Sequence, residues 1–161
     1  MRKDQKAAST RDAKGMRVAI VTGDYHAEIH ERLLAGARAA FLESGGREMD
    51  LHVSAVDGVY DLPPVVAAAL TAGFDAVVAL GCVVRGETRH DRHIVDAAFA
   101  QLSAIAVQHR RPVGLGVLTV ENMKQARERA GGRKGDAGAF AMRAAIRAAQ
   151  EIRALEKAGR R

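Results

Sequence analysis

Arg85, Glu87, Thr88 and His90 stand within six positions of one another, in the stretch Gly81-Cys-Val-Val-Arg-Gly-Glu-Thr-Arg-His90. A threonine hydroxyl beside the backbone N–H groups of a helix start can hold a phosphate. An imidazole titrates near neutral pH and can move protons in either direction. The stretch follows the apolar run Phe74–Leu80, which reads as a buried parallel strand, and precedes Ile94–Val107, whose apolar spacing is helical. A small-residue turn bearing these groups therefore sits at the carboxyl end of a strand, where open α/β sheets place their ligands. The alternative is an ordinary polar strand-to-helix loop.

The rest of the chain supplies the frame. Arg17–Thr22 predicts a first strand, and Ala27–Ser44 a helix through Ile29, Leu33, Leu34, Ala37 and Phe41, stopped by Gly45-Gly46. Leu51–Val56 reads as a second strand. Asp57-Gly58 turns the chain, and Pro63 opens a helix to about Ala72. Phe74–Leu80 is the third strand, followed by a helix over about Asp91–Gln108. Pro112–Thr119 gives a fourth strand and Glu121–Ala130 a helix ended by Gly131-Gly132. A loop to Gly138 leads into a long last helix ending near Lys157. Strands alternating with helices imply a parallel sheet covered on both faces. The expected class is α/β: a three-layer, flavodoxin-like domain over 16–157, its four-stranded parallel sheet having helices on both faces. No internal repeat or linker divides it.

Composition narrows the function. The 161 residues carry a net charge of +6, but 1–15 hold five Lys/Arg against two Asp, and 153–161 hold four against Glu156. The basic character belongs to the ends, and the body between them is formally neutral. We therefore expect mobile basic tails at 1–15 and 158–161, and nucleic acid is not the indicated partner. No apolar run approaches membrane-spanning length. Met1–Gly15 is charged throughout, without a secretory apolar segment, and Cys82 is the single cysteine. Both agree with a cytoplasmic location. Cys82 follows a predicted buried strand, so packing is its expected role. Aromatics are 4% of the chain, so the core is built from Ala, Val, Ile and Leu.

The two tyrosines, Tyr25 and Tyr60, both fall just beyond predicted strands, as do Asp24, His26 and Asp61. Placed at one rim they form a platform for a flat ring, with carboxylates for its N–H and O–H groups. Taken singly, either tyrosine is a half-buried packing residue.

In this order the motifs resemble the lumazine synthase family of riboflavin biosynthesis, from about Arg17 to Leu155. Val18–His26 is similar to the family's first strand and aromatic loop. Asp57-Gly-Val-Tyr-Asp-Leu-Pro63 resembles its Pro-Gly-small-aromatic-Glu-Ile-Pro segment, and Gly81–His90 its phosphate loop with the catalytic histidine. Gly116–Thr119, Glu121-Asn122 and Gln125–Gly131 resemble its last strand and following helix. The resemblance implies condensation of 5-amino-6-(ribitylamino)uracil with 3,4-dihydroxy-2-butanone 4-phosphate, without metal or organic cofactor. By position, it implies that Tyr25 stacks on the pyrimidine, and that Val59, Tyr60 and Asp61 hold the ribityl chain and ring edge. Cys82, Val83 and Val84 would line the pocket. Glu87, Thr88 and Arg129 would hold phosphate, and His90 would shuttle protons. Leu115 and Arg129 would come from a neighbouring subunit, since the family's site lies between subunits of a pentamer. A homopentamer at least is expected. The short Gly131–Gly138 connection is compatible with a sixty-subunit shell, with riboflavin synthase as its cargo.

The chain also departs from the family pattern. Asp24-Tyr25-His26 stands for Arg-Phe-Asn, Asp61 for Glu, and Asp91-Arg92-His93 for aromatic-Asp-Tyr. Leu115 stands for Phe, and Gly135-Asp136-Ala137-Gly138 for Gly-Asn-Lys-Gly. Asp91 is the candidate substitute partner for His90, though its direction differs, and nearby Arg133 and Lys134 are candidates to replace the lost lysine. Three readings remain open on sequence: the synthase, a non-catalytic flavin- or lumazine-binding or scaffold relative, and an unrelated flavodoxin-like ligand domain.

Overall fold

Val18–Gly23 forms β1, every residue of which is buried, as a strand covered on both faces must be. In the computed structural model, which describes residues 12–160, β1 lies inside a four-stranded sheet. It pairs in parallel with β2 (Leu51–Val56) on one side and β3 (Ala76–Val84) on the other. On the far side of β3 lies β4 (Val113–Val120), giving the order β2-β1-β3-β4. Alternate β1 side chains feed two cores. Val18 and Ile20 face helices α1 (Ala27–Glu43) and α5 (Ala137–Ala158). Ala19 and Val21 face α2 (Leu62–Thr71) and α3 (His90–His109). The expected class, four-stranded parallel sheet and two helical layers are all found.

On α1 the residues Ile29, Leu33, Ala37, Ala40 and Phe41 are buried, a stripe at helical spacing. The stripe shares one core with α5, whose Ala139, Ala141, Met142, Ala145 and Ile146 are buried with it. The approach is close enough that a Cβ added at Gly138 would land on the Leu33 carbonyl. Arg143 of α5 ties the far end of the same pair to Glu43 at 3.2 Å.

Three elements differ from the sequence expectation. The third strand starts at Ala76 and runs through Val84, so Gly81–Val84 is paired strand, in register with Val117–Val120 of β4. These small residues serve close packing: a Cβ on Gly81 would lie 2.8 Å from Val59 Cγ2. Val59–Asp61 itself forms a 3-10 turn ahead of α2. The segment after α4 (Met123–Arg129) is a short antiparallel hairpin, β5 (Ala130–Gly132) with β6 (Gly135–Asp136). Asp136 then caps α5, accepting from the Ala139 N–H at 3.0 Å.

At the N-terminus the packed body begins earlier than Met16. Ala13 is fully buried, and its N–H donates to the Ser44 carbonyl at 2.7 Å. The part of the expected tail at 1–11, and Arg161 of the other, lie outside the described residues. At the C-terminus α5 gives way to exposed Gly159 and Arg160.

Candidate active site

The sheet order makes β1 and β3 the switch point. The chain leaves β1 towards β2 and later returns to β3 on the other side, opening a crevice beyond their carboxyl ends. A cleft of about 530 Å³ occupies that position. Tyr25 enters it from the β1–α1 connection. Val59, Tyr60 and Asp61 enter from the turn after β2. Cys82, Val83 and Val84 come from β3, and Thr88 and His90 from the start of α3. Nine of the expected site residues, from three stretches far apart in sequence (25, 59–61 and 82–90), thus share one cleft.

Each is held for a local reason. Tyr25 is 81% exposed and Tyr60 65%, so both rings present faces at the cleft mouth. The His26 ring meets Tyr25 edge-to-face, with centroids 5.0 Å apart and planes at 87°. Asp24 N–H donates to the Val56 carbonyl at 3.0 Å, tying the Tyr25 connection to the end of β2. Asp61 Oδ2 accepts from Gly58 N–H at 3.2 Å, which fixes the carboxylate against its own turn. Cys82 forms apolar floor: burial pushes its thiol up to about 11, leaving it protonated and unreactive at neutral pH. His90 is the first residue of the 20-residue α3 and is exposed to the cleft. Its N–H points to Thr88 Oγ1, 3.5 Å away.

Glu87 lies in a second, more polar hollow of about 700 Å³, which shares Val83, Gly86, Thr88 and Asp91 with the first. Thr88 and Asp91 thus form a wall common to both. Arg85 borders the polar hollow and is paired to Glu121 at 3.0 Å. This bridge fastens the loop after β3 to the segment after β4. Arg92 extends along α3 to Asp96 at 3.8 Å, away from His90. Among the described residues no hydrogen bond joins Asp91 to His90.

Leu115 and Arg129 stand apart from both hollows. Leu115 is 45% exposed in the middle of β4, the edge strand, and Arg129 closes α4 with Nη1 donating to the Gln125 carbonyl at 3.2 Å. Arg133 and Lys134 both turn to Glu128, at 2.8 and 3.4 Å. The Arg133 hydrogen bond, helped by Lys134, holds that carboxyl below the usual range. Both candidate substitutes for the missing lysine are thus engaged with α4, the helix just before them. Ala137 opens α5 beside them.

His26, Asp57, Gly58 and Ile94 also line the cleft without having been assigned to it from sequence. Ile94 was findable, since it lies one helical turn after His90. Among the described residues no cluster of His, Cys, Asp and Glu is arranged to hold a metal ion, and no helix is long and apolar enough to cross a membrane.

Residues 15–153 match the family model described as 6,7-dimethyl-8-ribityllumazine synthase, nearly the whole described chain. The chain belongs to that family. A 6,7-dimethyl-8-ribityllumazine synthase from Frankia casuarinae is 46% identical over 147 residues, 90% of this chain and 91% of that protein. The protein of the same name from Kineococcus radiotolerans is 44% identical over 146 residues, 89% of each chain. Likeness at this level also spans bacterial groups, with 39% identity to the Chlamydia muridarum 6,7-dimethyl-8-ribityllumazine synthase over 90% of this chain.

Proposed function

We propose that the cleft condenses 5-amino-6-(ribitylamino)uracil with 3,4-dihydroxy-2-butanone 4-phosphate, giving 6,7-dimethyl-8-ribityllumazine with release of phosphate and water. The observation that carries this reading is the convergence of Tyr25, Val59–Asp61, Cys82–Val84, Thr88 and His90 on one cleft. Tyr25 stacks on the pyrimidine. Val59, Tyr60 and Asp61 take the ring edge and the ribityl hydroxyls. Thr88 and the N–H groups at the start of α3 receive the phosphate, with Glu87 shaping the loop.

The chemistry then asks for proton traffic. The pyrimidine amine adds to the ketone and water leaves, giving an imine. Phosphate departs by elimination. The remaining amine closes the second ring, and a further dehydration completes it. Each step moves a proton to or from the reacting atoms, a task an imidazole at His90 performs in both directions. No redox change occurs, and this chain's residues act by binding, orienting and transferring protons.

Leu115 and Arg129 complete the site from a second copy of the chain. Their distance from the cleft of their own chain, and the exposed tyrosine faces at its mouth, support a site finished between subunits. A guanidinium supplied there matches phosphate oxygens with paired N–H groups. We read the assembly as a homopentamer. The two-strand hairpin between α4 and α5 is short enough to suit pentamers joined into a sixty-subunit shell, with riboflavin synthase as cargo, in the cytoplasm. The test is direct: purified protein given both substrates forms fluorescent product and sediments at pentamer mass or above. Absence of product overturns the reaction, and a monomer at micromolar concentration overturns the shared site.

The lost lysine yields a separate expectation. In the family that cation approaches the pyrimidine from a neighbouring subunit, and here Ala137 holds its position. Because Arg133 and Lys134 are committed to Glu128, Arg133→Ala and Lys134→Ala are expected to leave the affinity for a ribityl-pyrimidine unchanged. Ala137→Lys is expected to tighten it by ~1–2 kcal/mol, the value of one charge-assisted hydrogen bond. Titration calorimetry measures all three. Weaker binding in either alanine variant would return that residue to the site.

A further inference from the structure

Thr22 is the one polar side chain fully buried among the described residues. It sits on β1 facing α1, in line with Val18 and Ile20. Its Oγ1 shares a hydrogen bond of 2.8 Å with Nδ1 of His30, which is half-buried in the first turns of α1. A hydroxyl at this depth is costly without a partner, whereas an apolar pair would fill the same space. What the polar pair adds is direction. It joins the residue before the β1–α1 connection to a residue just after it, and that connection carries Tyr25 and His26.

Tyr25 needs such support. Its ring is 81% exposed, and His26 is its ring neighbour. Packing does not fix the ring, so the backbone beneath it must. That backbone is held at one end by Asp24 N–H on the Val56 carbonyl and by close contact of Gly23 with Gly58. At the other end the His26 carbonyl accepts from the N–H groups of Ile29 and His30 at 3.0 and 2.9 Å, so the loop turns wherever α1 begins. Thr22–His30 sets where α1 begins relative to the end of β1. We infer that Thr22 and His30 are positioning residues for the pyrimidine-binding face, a side-chain latch that holds Tyr25 over the cleft. This rests on the reading of Tyr25 as the stacking residue.

The test uses four variants: His30→Leu, Thr22→Val, the double variant, and His30→Asn, whose side-chain amide reaches close to the position of Nδ1. Each is measured for melting temperature, kcat and KM towards the ribityl-pyrimidine. Tyrosine fluorescence anisotropy is read without ligand in a Tyr60→Phe background, where Tyr25 is the sole tyrosine. His30→Leu is expected to lose about 4 °C by orphaning the hydroxyl, and the double variant to regain most of it. KM for the pyrimidine is expected to rise ~5–10-fold in both and stay raised in the double variant, with kcat within about twofold of the parent. Tyr25 anisotropy falls in both. His30→Asn keeps the parent KM and anisotropy. A double variant with parent KM and parent anisotropy would reduce the pair to a structural contact and overturn the inference. A parent protein that fails to turn over the pyrimidine overturns the proposed reaction instead, and the ligand-free anisotropy still decides whether the latch holds Tyr25.

Discussion

His90→Ala is expected to lower turnover by ~10²-fold or more while leaving the affinity for inorganic phosphate within about twofold of the parent. The two effects separate because of how the start of α3 is built. In the proposed site the anion is held by Thr88 and the helix N–H groups, with a guanidinium from the neighbouring copy, and none of these needs the imidazole. The substitution also stays within helix-compatible chemistry, since Ala favours a first turn as well as His does. The side chain is exposed, so removing it leaves no buried cavity. Single-turnover kinetics with both substrates measures the step directly. A variant as fast as the parent would place proton transfer elsewhere, with His26, which also lines the cleft, the next imidazole to test.

Gly138→Ala is expected to destabilise the fold by about 3 kcal/mol, the upper end of the usual overpacking cost. Two effects compete. Alanine is the better helix former, by about 1 kcal/mol over glycine. Against that, the new methyl would meet the Leu33 carbonyl, a backbone group that cannot rotate away as a side chain would. α1 and α5 must separate, and the packing lost along Leu33, Ala37, Met142 and Ile146 outweighs the propensity gain. The melting temperature should fall by about 6–12 °C. Gly86→Ala serves as the stability control, because a Cβ there meets nothing within 4 Å. A Gly138→Ala protein melting with the parent would show that the two helices slide apart at little cost.

The layered architecture was legible because period and burial agree. The buried stripe Ile29, Leu33, Ala37, Phe41 marks α1 almost to the residue, and unbroken apolar strands mark a sheet covered on both faces. The cleft that gathers the candidate residues was legible at the rims, where Tyr25 and Tyr60 follow strands and His90 opens a helix. Gly81-Cys82 misleads because small residues signal both turns and tight packing. Only the fold shows Val59 lying across the strand. The hairpin at 130–136 escaped because its strands are two and three residues long and carry no alternation. Thr22 and His30 were invisible as a pair, since a hydroxyl on a strand and an imidazole on a helix have no fixed spacing until the connection between them is built.

The pairing of α1 with α5 has a consequence for synthesis. Arg143 meets Glu43, 100 positions earlier in the chain, and Leu33 is covered by a helix that begins at Ala137. On a nascent chain leaving the ribosome the α1 segment therefore emerges early, and its apolar stripe stays without its α5 partner until Ala137 and the residues after it have been made. The central strand β1 also waits, since β3 is translated after α2. Contacts this distant in sequence slow the search for the native state. The growing chain passes through a long interval in which Ile29, Leu33 and Phe41 are open to chaperones or to neighbouring chains. Emergence of the final helix is the event that commits it to fold.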